Sequence, residues 1–224
     1  MSLALLILFS GLFAVTHIGM SHDPYRARMS EKLGEKPFMG VYSLVSLLTL
    51  GGAIWVFSQT DDLGPVLWTL PTWLYPVVHL LVLVGVLLLV LSFADPSPAG
   101  MVPAAEEPRG VLRVTRHPMN MGIACYALAH AMANGVLGSL FFFGSLFVVG
   151  CFGPFHQDRR KVREKGESYV ALQAKTSAIP FAAIISGKTK LELGEIRLPL
   201  AVTAVVLYVA VILLHERLFG ISPV

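Results

Sequence analysis

The densest polar chemistry in this chain lies in one stretch, residues 113–135, with the sequence RVTRHPMNMGIACYALAHAMANG. Proline is favoured in the first turn of a helix, where its missing N–H is not needed, so a helix is predicted to start at Pro118. At a rise of 1.5 Å per residue, His117 and His130 would lie roughly 20 Å apart along this helix and on largely opposite faces. They therefore cannot bind one metal ion and belong to two separate sites.

The first site would lie at the membrane surface, where the helix starts. The free N–H groups and the positive dipole end of a helix start attract anions. The basic residues around them predict a site for a phosphate, a carboxylate or a lipid headgroup. Alternatively, an arginine there pairs with Asp158 and joins the helices. The residues of this predicted rim site are Arg113, Arg116, His117, Asp158, Arg159 and Arg160.

The second site would lie inside the membrane. Ionisable side chains are rare in spanning segments and usually have a partner there, and His17, His79 and His130 fall in such segments. A neutral imidazole is a good ligand for heme iron, so each histidine could bind a heme. Alternatively, each forms a hydrogen bond that joins two helices. Ligation of one iron by His17 and His130 requires the first span to tilt or slide. No CxxCH motif is present, so any heme would be noncovalent.

The composition predicts the elements that position these residues. Of 224 residues, 55% are apolar and 14% are charged, and the mean hydropathy is +0.70. Soluble proteins carry about a quarter charged residues, so we expect an all-α integral membrane protein with one domain, residues 1–224. Six segments are about long enough to cross a bilayer. The predicted spans are Leu3–Met20, Phe38–Ser58, Leu74–Ala94, Pro118–Asn134, Val136–Phe155 and Leu198–Leu214.

The basic residues predict the orientation of these spans. Four, three and nine of the 17 Lys and Arg residues follow spans 1, 3 and 5, and only Arg217 departs from this pattern. By the positive-inside rule those loops are cytoplasmic, and both the N-terminus and the C-terminus lie outside. The net charge of +3 is then a topology signal, and no nucleic-acid partner is expected. The expected partners are the lipid bilayer and a hydrophobic small molecule.

Small residues in the fourth span predict its place in the bundle. They recur at overlapping four-residue spacings, a pattern typical of helices that pack closely with their neighbours. They are Gly122, Ala124, Ala127, Ala129, Ala131 and Ala133. We therefore expect this helix at the centre of the bundle. The pair Asn134–Gly135 ends it, and the short connection predicts an antiparallel hairpin with the fifth span.

Several motifs follow one another in order along nearly the whole chain. A histidine near the end of the first span precedes a basic Leu-Gly-Glu segment. The further motifs are Tyr42–Leu47, Arg113–Pro118, Ala129–His130 with Asn134–Gly135, Asp158–Arg160 and Thr176–Phe181. Together they resemble the NnrU family of bacterial membrane proteins, which is similar to the plant zeta-carotene isomerase.

This resemblance implies a function. It implies that the protein binds heme b and isomerises a cis double bond in a carotenoid precursor, with His17 and His130 at the positions of the ligand histidines. Ala127 stands where the plant motif has a cysteine. The bacterial relatives are named for a link to denitrification, so a role in nitrogen-oxide metabolism is also implied, as is a multi-pass location in the bacterial inner (plasma) membrane.

A second resemblance gives an alternative. The segment Arg116–Gly122 resembles the RHPxYxG motif of integral-membrane methyltransferases such as isoprenylcysteine carboxyl methyltransferase, and Asp158 and Gly166–Tyr169 keep that family's spacing. It implies a rim site for S-adenosylmethionine. Asn120 and Arg159 differ from the Tyr and the Glu of that pattern. A third interpretation, a non-enzymatic membrane assembly or regulatory factor, needs no catalytic site.

Overall fold

The computed structural model describes residues 1–98 and 107–223, and this part of the chain is built from helices and their connections. In chain order the helices are α1 (Leu3–Ser21), α2 (Tyr25–Leu33), α3 (Glu35–Ser58), α4 (Tyr75–Leu91), α5 (Pro118–Ala133), α6 (Leu137–Lys165), α7 (Glu167–Lys175), α8 (Ala182–Ile185) and α9 (Leu198–Phe219). Short 3-10 turns lie at Thr72–Leu74, Gly110–Arg113 and Leu193–Glu195. No strand occurs in the described residues, so the predicted all-α class is confirmed.

Five helices are long and apolar enough to cross a membrane: α1, α3, α4 with the 3-10 turn before it, α6 and α9. The fourth predicted span is α5, which has 16 residues and extends about 24 Å, short of a hydrocarbon core of about 30 Å. The count of six spans and the outer placement of the termini therefore stay predictions. Helix α6 continues past Phe155 to Lys165, because charged helix-forming residues extend a helix where hydropathy no longer marks it.

The long helices pack side by side in the order α3, α1, α6, α5, α4, α9. Helix α5 thus has α4 on one side and α6 on the other, which confirms the central position that its small residues predicted. Helix α9 contacts α4 and leaves large apolar side chains uncovered, such as Leu198 and Leu213 at 70% and 76% exposure. Such surfaces suit contact with lipid, whose chains are as apolar as leucine.

Glycines let the backbones on both sides of α5 approach closely. A Cβ on Gly122 would lie 2.7 Å from the carbonyl oxygen of Gly85 in α4, and one on Gly85 would lie 2.9 Å from that of Gly122. On the other side, a Cβ on Gly150 of α6 would lie 2.8 Å from the carbonyl oxygen of Asn120. The atoms met are backbone atoms, which cannot move aside as a flexible side chain can. The short distances from α5 to α4 and α6 therefore depend on glycine at these three positions.

We expect Gly122→Ala and Gly144→Ala to change stability in opposite directions. The first places a methyl group against the backbone of α4 and should cost about 1–3 kcal/mol. The second adds a Cβ that meets nothing within 4 Å, and should stabilise α6 by about 0.4–1 kcal/mol. Thermal unfolding of both variants in one detergent measures the difference. Equal melting temperatures would show that the close approach of α4 and α5 contributes nothing.

Asn134 and Gly135 connect α5 to α6 in an antiparallel hairpin, as predicted. The backbone N–H groups of Leu67 and Trp68 donate to the carbonyl of Gly135 at 2.6 and 3.3 Å, and the Trp68 indole donates to the carbonyl of Met132 at 3.0 Å. A Cβ on Gly135 would lie 1.9 Å from the carbonyl oxygen of Trp68, so no other residue fits. The connection between α3 and α4 thus holds the tip of the hairpin.

Candidate functional site

A buried polar cluster joins the start of α5 to α6 and α7, with Asp158 at its centre. The Nε of Arg116 donates to both carboxylate oxygens at 3.2 and 3.0 Å, and its Nη2 donates to Oδ2 at 2.5 Å. His117 Nε2 lies 2.8 Å from Oδ1, and the Tyr169 hydroxyl donates to the same oxygen at 2.6 Å. Asp158 is 7% exposed and His117 is fully buried. One carboxylate on α6 therefore holds three side chains from two other parts of the chain, the start of α5 and α7.

Tyr169 of α7 is a member of this cluster that the rim prediction did not include. In the sequence, only the resemblance to methyltransferases, through the spacing of Gly166–Tyr169, points to this residue. Burial, together with the hydrogen bond to Asp158, raises the pKa of Tyr169 above its ordinary value, so its phenol stays a donor. The backbone N–H of Arg116 also donates to the carbonyl of Ser177 at 2.9 Å, which ties the segment after α7 to the same place.

Half of the six predicted rim residues lie outside the cluster. Arg113 donates to both carboxylate oxygens of Glu195 at 2.7 and 2.8 Å. This pairing, with the N–H of Gly110 at 2.9 Å, lowers the pKa of Glu195 to about 2, so that the carboxylate is charged at neutral pH. The side chain of Arg160 lies 3.6 Å from that of Glu164, and Arg159, which is exposed, lines a cavity beside α1.

The geometry favours a joining role for Arg116 and His117 over an open anion site. The Asp158 carboxylate already accepts from the Arg116 guanidinium and contacts the imidazole of His117, which has no exposed surface. A buried ion pair of this kind leaves each charge compensated, and removal of one partner is strongly destabilising. The predicted rim site is thus divided between a buried cluster and separate surface contacts.

Two of the three histidines predicted to lie in the membrane contact polar groups on neighbouring helices. His17 of α1 faces α3, where its Nδ1 lies 3.0 Å from Ser46 Oγ and its ring centroid is 4.9 Å from that of Tyr42. His79 of α4 faces α9, where its Nδ1 lies 3.2 Å from the hydroxyl oxygen of Tyr208. Each of these imidazoles has the interhelical partner that a buried polar group in a membrane requires.

His130 of α5 has a different environment, between two aromatic rings. Its ring centroid lies 4.0 Å from that of Tyr126 and 4.9 Å from that of Phe143 in α6. Its Nδ1 donates to the carbonyl oxygen of Tyr126 at 2.9 Å, because a carbonyl can only accept. The lone pair of the neutral ring therefore lies on Nε2, which is the arrangement of a metal-binding histidine. Nε2 of His130 is thus free to accept a hydrogen bond or to bind a metal ion.

The pair His17 and His130 does not fit a single heme in this arrangement. Phe143, which contacts His130, packs in the same core cluster as Leu6 of α1. His17 lies eleven residues further along α1, roughly 16 Å at the helix rise, whereas metal–imidazole bonds are about 2 Å long. In the described ranges, no group of three or more His, Cys, Asp or Glu residues is placed to hold a metal ion.

The chain is similar to one protein family and to two plant proteins. The family model described as NnrU protein matches residues 5–223. The chain is 31% identical over 230 residues to the chloroplastic 15-cis-zeta-carotene isomerase of Arabidopsis thaliana, covering 94% of this chain and 59% of that protein. It is 28% identical over 197 residues to the Zea mays protein of the same name, covering 83% and 52%. The chain thus spans between half and three fifths of the length of these two relatives. No solved structure gives a significant match.

Proposed function

We propose that this chain, which belongs to the NnrU family, is an enzyme of the bacterial inner membrane that interconverts cis and trans double bonds of a polyene hydrocarbon of the carotenoid class. The observation that carries the proposal is the similarity, over most of the chain, to two proteins named 15-cis-zeta-carotene isomerase. The apolar helices agree with it, because a hydrocarbon substrate dissolves in the bilayer that such helices occupy.

We further propose that this chain binds heme b and that His130 would hold its iron. When bound, the iron would supply electron exchange with a conjugated chain, which weakens a double bond enough to permit rotation. The carbonyl of Tyr126 orients the imidazole by accepting from Nδ1. The rings of Tyr126 and Phe143 shield it from water and offer flat apolar surfaces, which suit a planar ligand or a polyene.

An isomerisation assay tests the proposed activity. The chain is expressed in a bacterial host that accumulates 15-cis-zeta-carotene and has no isomerase for it, and the cultures are kept dark so that light does not convert the substrate. Chromatography of the extracted pigments measures the ratio of cis to trans isomers. We expect the trans isomer to increase over a host with an empty vector. An unchanged ratio, with the protein folded in the membrane and replete with heme, would refute the activity.

A further inference from the structure

A cavity of about 150 Å³ lies between the end of α1 and the charged part of α6. It has room for about five water molecules at ~30 Å³ each, or for one small oxyanion. The side chains that line it are His22, Asp23, His156, Arg159 and Arg163. None of these belongs to the Asp158 cluster, and none is one of the three histidines predicted to lie in the membrane, His17, His79 and His130. The cavity is therefore a separate feature of the molecule.

The cavity carries a net positive charge. Asp23 forms an ion pair with Arg163, so these two charges compensate each other. Arg159 is exposed, and within residues 1–98 and 107–223 it forms no ion pair with a carboxylate. Arg159 lines the cavity, and a guanidinium carries a planar set of N–H donors whose geometry matches the oxygens of phosphate.

The two imidazoles that line the cavity contact each other. The Nδ1 atoms of His22 and His156 lie 3.0 Å apart, and the rings meet edge to face. One Nδ1 must donate and the other must accept, so the accepting neutral ring carries its own proton on Nε2. The uncompensated charge of Arg159 disfavours a metal cation between these nitrogens, because like charges repel. The lining therefore suits an anion.

A second, more open cavity adjoins the first and provides an apolar surface. Its volume is about 530 Å³, and Arg159 and Arg163 line both cavities. Two apolar side chains, Phe155 and Val162, also line the second cavity, and Phe155 is 57% exposed. Its remaining lining residues are Asp158 and Gln173. A cationic cavity beside an exposed aromatic side chain fits a molecule with a charged head and an apolar tail.

We propose that the smaller cavity binds the phosphate group of an anionic ligand, with Arg159 as its principal contact and Arg163 beside it. A lipid headgroup and free phosphate share this chemistry. The site does not depend on the proposed isomerase function, because it lies away from His130 and uses none of its contacts.

Binding measurements on the 224-residue chain in detergent test this site. The probes are inorganic phosphate and dihexanoyl phosphatidic acid, a phospholipid short enough to be soluble. We expect Arg159→Gln to weaken binding of both by about tenfold or more, the usual cost of one charge-assisted hydrogen bond. Because Arg159 is exposed, this change should leave the fold intact. Arg217→Gln, the same change at an exposed position near the end of α9, should leave the dissociation constant unchanged.

Each outcome of the binding measurements either supports the phosphate site or overturns it. Tighter binding of phosphatidic acid than of phosphate supports the site and identifies a lipid ligand, and equal binding supports it and identifies free phosphate. Failure of the wild-type chain to bind either probe overturns the proposal, as does equal weakening in Arg159→Gln and Arg217→Gln. Zn²⁺ binding that is lost in His22→Gln but kept in Arg159→Gln, with no phosphate binding, would overturn it in favour of a metal site.

Discussion

His130→Ala is expected to remove the Soret absorption of the purified protein and its isomerase activity together. Nε2 of His130 is the atom proposed to bind the heme iron, and alanine offers no ligand in its place. Loss of the partner that orients a metal ligand typically costs about 10–100-fold in affinity, so loss of the ligand itself should cost more. The absorption spectrum after heme-replete expression gives heme content, and the pigment assay gives activity.

His17→Ala and His79→Ala are the matched controls, since each removes another membrane histidine by the same substitution. Each should lose one interhelical hydrogen bond, with Ser46 or Tyr208, and keep the Soret band. If His17→Ala removed the band as completely as His130→Ala, both histidines would be ligands and α1 would have to shift when heme binds. A wild-type protein without a Soret band would refute the heme proposal.

Features of the fold that depend on neighbouring residues in the sequence were predictable. The small residues of α5 predicted its position between two helices, and the close contact of Gly122 with Gly85 is the direct result. The pair Asn134–Gly135 predicted the hairpin, because such residues end a helix and allow a tight connection. These predictions succeeded because each rests on the shape and backbone freedom of residues within one short segment.

The order of the helices was not predictable in the same way. In a membrane both the lipid-facing and the protein-facing sides of a helix are apolar, so hydrophobic periodicity does not identify neighbours. The contact between His22 and His156 depends on α1 lying beside α6, and the pairing of Arg113 with Glu195 joins residues far apart in sequence. Such contacts follow from packing, which a single sequence does not encode locally.

Asp158→Asn is expected to destabilise the protein more than any surface substitution. The change keeps the volume of the side chain but removes the negative charge that compensates Arg116, and it turns one acceptor into a donor that faces other donors. Breaking one partner of a buried pair costs about 3–5 kcal/mol. For a chain of this size that corresponds to a fall in melting temperature of about 10 °C. Thermal unfolding in detergent measures it.

Glu164→Gln is the matched control for this prediction. It makes the same acid-to-amide change on the same helix, but its side chain is 47% exposed and pairs with Lys161, so it should cost less than about 1 kcal/mol. The loss of stability in Tyr169→Phe should lie between those of the other two variants. This change removes one of the hydrogen bonds to Asp158 and leaves the charges paired. Equal melting temperatures for Asp158→Asn and Glu164→Gln would contradict a structural role for the cluster.

The Asp158→Asn variant also distinguishes a methyltransferase site at the rim from a cluster that only joins the helices. A methyltransferase site predicts micromolar binding of S-adenosylmethionine that Arg116→Ala abolishes, with Asp158→Asn leaving the melting temperature near that of the wild type. A joining cluster predicts a large loss of stability in Asp158→Asn and no binding of that cofactor by the wild-type chain. Because three donors from α7 and the start of α5 converge on one carboxylate, and His117 is fully buried, we expect the second result.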